Sequence, residues 1–199
     1  MTPLEHATVA AASVPVHPEQ VAGDPRALAW NVPEEPLPVG RLVAAPGALG
    51  QLLSDGTLSD GLVGRGLVWL WLADGRSWRA EGGRVREALQ TALLEPGAWD
   101  VVPAGAEVLT RVTEYVLTGS LSDYIASHGG AITVSKVTDD TLEVSFEGAC
   151  AHCPAADDTL HSRIEAAVRE HYPDLRAIVE KPQSHKGRLL LWPSLRAAG

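Results

Sequence analysis

The chain has 199 residues, 25 acidic against 16 basic, and a formal net charge of −9; no basic stripe is offered to a phosphate backbone, so nucleic acid is not an expected partner. With 45% hydrophobic and 21% charged residues, the composition is that of a globular protein and not of a disordered or fibrous one. The longest apolar run, residues 67–73, is far below the ~18 residues of a membrane span and reads as a buried strand, so no membrane partner is expected.

Residues 1–24 carry no sustained periodicity, include Pro3, Pro15 and Pro18, and are expected as an extended or mobile lead. No Lys or Arg precedes Arg26, so the positive start of a secretory signal is missing. Only two cysteines occur, both in one C-x-x-C, which is no secreted disulfide framework; the expected location is the reducing cytoplasm.

Residues 27–32 have the pattern of a strand, and Pro33, Pro36 and Pro38 confine the next stretch of chain to loop or edge. A short helix is predicted over 48–53. The apolar run 67–73 is the next strand, with Trp69 and Trp71 sharing one packing face. Asp74-Gly75 then predicts a tight turn, with residues 76–79 as the returning strand. Val85, Ala88, Leu89, Ala92 and Leu93 lie on one helical face that can cover this sheet. Together these elements predict an α+β domain over residues 25–96. Pro96-Gly97 and Pro103-Ala104-Gly105 mark residues 97–104 as a linker.

Beyond the linker, Val108, Val112, Tyr115 and Val116 repeat at helical spacing, Gly119-Ser120 interrupts, and Leu121, Tyr124 and Ile125 resume the apolar face until Gly129-Gly130. Ile132 and Val134, then Leu142, Val144 and Phe146, alternate on either side of Asp139-Asp140 and predict a β-hairpin. Leu160, Ile164, Ala167, Val168 and His171 mark an amphipathic helix that Pro173 ends, and residues 175–179 supply a last strand. The expected fold class is α+β in two small domains, the C-terminal one, residues 105–181, a three-stranded sheet packed by helices. A segment beginning near Ala104 is long enough to bury a core of its own. The tail 182–199 carries Lys186, Arg188 and Arg196 beside the apolar residues 189–192 and has no assigned role.

The chemistry is expected in Cys150-Ala151-His152-Cys153-Pro154, where the predicted hairpin leads into the predicted helix. Unsatisfied N–H groups and the dipole at a helix N-terminus stabilise thiolates, the form that binds metals. The spacing alone is shared by iron-sulfur sites, redox dithiols and zinc sites. A thioredoxin-like dithiol places its C-x-x-C early in a βαβ pattern, and zinc needs two further ligands, so a dithiol oxidoreductase and a structural zinc protein stand as the alternatives. His152 reads as a solvent-facing loop residue, His161 and His171 as helix-surface residues, and Asp157 and Asp158 as residues favouring the helix start.

Ser127-His128-Gly129-Gly130, the hairpin, and Glu147-Gly148-Ala149-Cys150 with Cys153-Pro154 resemble, in order and spacing, the C-terminal domain of the NifU/Nfu family of cluster scaffold proteins over about residues 108–180. The resemblance implies that Cys150 and Cys153 are the cofactor-binding, metal-ligating residues of a 4Fe-4S cluster held between two subunits, with His128, Gly129 and Gly130 shaping the fold. It implies a carrier and not an enzyme, with an upstream cluster assembly system and apo iron-sulfur proteins as partners. The first domain is distantly similar to the N-terminal domain of longer Nfu proteins, from Asp24-Pro25-Arg26-Ala27-Leu28 onward. Ligand counting points the same way: such clusters take four thiolates, this chain has two, and a two-fold homodimer supplies the rest.

Overall fold

A computed structural model describes residues 14–34, 37–127, 129–148 and 154–181. The chain forms two sheets with helices on their faces, an α+β fold. The first sheet is built from β1 (His17–Gln20), β2 (Ala27–Asn31), β3 (Gly40–Ala44), β4 (Leu58–Gly64), β5 (Leu67–Leu72) and β6 (Asp100–Val102), in the order β1-β2-β5-β4-β3-β6 with every pairing antiparallel. Helices α1 (Gly47–Ser54) and α2 (Trp78–Ala92) cover one face. Helix α3 (Gly105–Thr118) packs on the other.

The central strand β5 explains this layering. A strand's side chains alternate between faces, so Val68, Leu70 and Leu72 meet α1 and α2, whereas Leu67 and Trp69 meet α3, with Trp71 half-buried at the margin. A strand covered on both faces reads as a continuous apolar run, which is how residues 67–72 appear. Trp69 and Trp71 do share a face, and that face packs.

Three expectations change. Residues 76–79 are not a returning strand, because both edges of β5 are already taken by β2 and β4. The turn at Gly75, with φ +79°, instead leads into α2, where the Ser77 carbonyl accepts the N–H groups of Ala80 and Glu81 and Trp78 meets Trp30 edge-on at 6.1 Å. Residues 100–102, inside the expected linker, are the sheet strand β6, anchored by buried Trp99, whose Nε1–H donates to the Ala92 carbonyl at 3.0 Å. Residues 17–20, inside the expected lead, pair as the edge strand β1, whereas residues 1–13 lie outside the described part.

The second sheet contains β7 (Gly130–Val137), β8 (Thr141–Gly148) and β9 (Ala177–Glu180) in that order. β7 and β8 form the expected hairpin; β9 runs parallel to β8. The short helix α4 (Ser122–Ser127) precedes β7. Parallel neighbours need a crossover, and here it is α5 (Pro154–His171). Leu142, Val144 and Phe146 alternate inward against Leu160, Ile164 and Val168 of α5.

Helix α3 belongs to both halves. Val108, Leu109, Val112 and Val116, each at most 1% exposed, lie in one continuous core that takes Ala29, Leu62, Leu67 and Trp69 from the first sheet and Leu142 and Val144 from the second. A second core, under α1 and α2, belongs to the first sheet alone. Ala104 precedes α3 and has no side-chain acceptor for capping; Asp139 in the β7–β8 turn does this from a distance, its Oδ1 accepting the Ala106 N–H at 3.0 Å.

Candidate functional site

Cys150 and Cys153 fall in residues 149–153, which join the end of β8 at Gly148 to the start of α5 at Pro154. These five residues, His152 among them, and His128 lie outside the described residues. The flanking elements define the place: the end of a strand and the N-terminus of an 18-residue helix. The first N–H groups of such a helix have no intrahelical partner and favour negative charge close by, the condition that keeps thiols ionised. Asp157 and Asp158 belong to the first two turns of α5; the structure does not describe their side chains.

Strand register brings the two halves of the motif together. Gly130 pairs with Gly148 and Ala131 with Glu147, so the α4–β7 junction ends beside the residues that lead into the cysteine segment. Gly129 has φ +62°, a conformation that disfavours a side chain, and its N–H donates to the Ala126 carbonyl at 3.0 Å, closing α4. Ser127 Oγ donates to the Tyr124 carbonyl at 2.8 Å. Thr133 Oγ1 donates to a Glu147 carboxylate oxygen at 3.3 Å across the hairpin.

Two contacts support the elements that flank the segment. The Arg163 guanidinium of α5 sits over the Tyr124 ring of α4 at 4.5 Å, and His161 packs its ring on Phe146 at 5.4 Å. His161 is thus partly covered by an aromatic neighbour rather than being purely a surface residue. His171, also expected on the surface, instead meets the first sheet: its Nδ1 lies 3.1 Å from the Arg65 carbonyl, and Tyr115 packs edge-on against its ring. Among the described residues no cluster of three or more His, Cys, Asp or Glu is arranged to hold a metal ion. No described helix is long and apolar enough to cross a membrane.

Polar residues at the opposite end of the hairpin hold the domain together, and no local sequence signal marks them. Tyr172 donates its hydroxyl to the Asp139 carbonyl, and burial pushes its phenol pKa up, helped by Asp174, Asp139 and Asp140. Hydrogen bonding from Thr141, then the charge of Arg176, holds Asp140 below the usual carboxylate range. The Asp139-Asp140 pair signalled only a turn, because its other partners are 33 to 36 residues away in sequence.

A hairpin, a crossover helix and a parallel third strand form a small α+β unit whose strand-to-helix segment contains both cysteines of the sequence. Residues 114–179 match the family model described as NifU-like domain. It is 33% identical over 87 residues to the Fe/S biogenesis protein NfuA of Serratia proteamaculans and 34% identical over 87 residues to that of Pectobacterium atrosepticum. Each match covers 43% of this chain and 45% of the relative, so less than half of either relative's length is represented. The NfuA of Acinetobacter baumannii is 35% identical over 81 residues, 38% of each chain.

Proposed function

We propose that the chain is an iron-sulfur cluster scaffold or carrier in which Cys150 and Cys153 hold a 4Fe-4S cluster shared by two subunits. The observation that carries this reading is the register that sets Gly129-Gly130 beside Gly148, so that the distant halves of the NifU-like motif flank one strand-to-helix segment containing both cysteines. The names of the relatives, Fe/S biogenesis proteins, agree in role.

The cluster is cargo and not a resident cofactor. Four thiolates complete such a cluster and each subunit offers two, so a two-fold dimer is the simplest complete site. Release follows from the same arrangement, since incoming thiolates of an apo-protein can replace the carrier's thiolates one at a time. Loading comes from an upstream assembly system, and thiols that must stay reduced place the protein in the cytoplasm. The protein acts as a carrier, with no substrate turned over.

Anaerobic reconstitution of Cys150→Ser and Cys153→Ser tests the assignment. Each variant should keep the wild-type circular dichroism spectrum and lose stable cluster binding. A folded double variant that still takes up iron and sulfide at the wild-type ratio would refute it.

A further inference from the structure

Helix α5 begins one residue after Cys153 in sequence and ends at the first sheet. Between the ends, Leu160, Ile164 and Val168 bury an aliphatic stripe against β8 and α3. Apolar burial is strong but non-directional, so it specifies the axial position and rotation of a helix less sharply than directional contacts do. Hydrogen bonds are directional and do fix them.

At the far end the bonds are reciprocal. The Arg65 N–H, in the turn between β4 and β5, donates to the His171 carbonyl at 3.3 Å, one of the carbonyls a helix end leaves without an intrahelical partner. His171 Nδ1 lies 3.1 Å from the Arg65 carbonyl; a carbonyl only accepts, so Nδ1 carries the proton. Tyr115 of α3 stands edge-on to the imidazole, with centroids 5.6 Å apart, and is itself tied to β2 by a 3.1 Å bond to Asn31 Oδ1. Gly66 completes the turn at φ +70°, and the Val32 N–H donates to its carbonyl at 3.0 Å, so the turn is itself braced. Tyr172, the next residue, fixes the other side of the helix end to the hairpin turn through Asp139.

We infer that His171 is a positioning residue: through it the first sheet sets the axial position of α5, and with it the place of the helix start at Pro154, the residue that follows Cys153 in sequence. The inference rests on the cluster-carrier reading. It gives the N-terminal half a part in cluster retention, although that half contributes no thiolate.

The test compares His171→Ala, His171→Asn, whose side-chain amide can again donate to the Arg65 carbonyl, and Gly66→Ala, which at φ +70° strains the turn that carries Arg65. In the loaded full-length dimer, cluster loss to an iron chelator should be about fivefold faster in His171→Ala and Gly66→Ala, the scale of one lost hydrogen bond. The double variant should be no faster than either single one, and His171→Asn should return to the wild-type rate. In metal-free protein, hydrogen exchange should rise selectively in residues 154–160. Unchanged chelation in folded His171→Ala, or exchange that rises equally throughout the chain, would overturn the positioning role. If His171→Ala does not fold, Gly66→Ala and His171→Asn decide the question: wild-type chelation in a folded Gly66→Ala overturns the role, and a fast Gly66→Ala beside a wild-type His171→Asn supports it. Wild-type protein that takes up no cluster would instead refute the carrier reading, and this inference with it.

Discussion

Asp139 joins three elements through two of its atoms. Its carboxylate accepts the Ala106 N–H at the start of α3, and its carbonyl accepts the Tyr172 hydroxyl at the end of α5. Little room is left around it: a Cβ on Gly105 would lie 2.9 Å from the Tyr172 hydroxyl and 3.0 Å from Asp139 Cβ. Asp139→Ala removes the cap and keeps the carbonyl, and should destabilise the protein by about 1 kcal/mol in urea unfolding, the usual worth of an N-cap. Asp139→Asn, which retains an acceptor oxygen, should lose less than half of that. Equal losses from the two would show that charge, and not capping, matters there.

The elements legible in the sequence are those whose signal is local. The hairpin β7–β8 follows from two alternating runs around Asp139-Asp140, and α5 from its apolar stripe and Pro173, because a core on one side leaves a periodic trace. β3, β4 and β6 leave no such trace. In β4 a bulge between Leu58 and Asp60 breaks the alternation, and β3 is interrupted between Leu42 and Ala44. Gly40 carries the hidden constraint: at φ +147° a Cβ would lie 2.1 Å from the Val102 carbonyl oxygen, so the β3–β6 pairing needs a glycine there. Gly40→Ala should destabilise the first sheet by about 2 kcal/mol or more, combining backbone strain with the steric clash. Gly82 and Gly83 are the reverse case. They lie inside α2 with open space where a Cβ would be, so Gly82→Ala and Gly83→Ala should each stabilise the protein by about 0.5–1 kcal/mol. Thermal unfolding of the three variants checks both signs.

At the scale of the whole molecule, sequence and structure part most at residues 97–104, the expected linker. Composition signals a break there, but composition does not show that α3 packs on both sheets; that packing is long-range. The motif around Cys150 and Cys153 stands out in the sequence because its two halves follow in a fixed order within one short stretch of chain, whereas the contacts of His171 with Arg65 and Tyr115 join residues much further apart in sequence. Length alone predicts that a chain beginning at residue 104 stands by itself. Such a chain would strip Ala29, Leu62, Leu67 and Trp69 from the core that α3 completes. The contribution of Trp69 alone is on the order of 3–5 kcal/mol. The truncated protein should therefore melt well below the full chain and bind a hydrophobic dye; a sharp unfolding transition at the full-length temperature would show that the halves fold independently.

Cys150 and Cys153, as half of a shared cluster site, are the central claim. Anaerobic reconstitution of the full-length wild type, with iron and sulfide analysis and a measured molecular mass for the same sample, tests it most directly. The expected result is a brown protein with about four irons and four sulfides per dimer, and a metal-free form that is less dimeric at the same concentration. Stoichiometric zinc without iron uptake, or a monomer that holds a complete cluster with no added thiol, would contradict it.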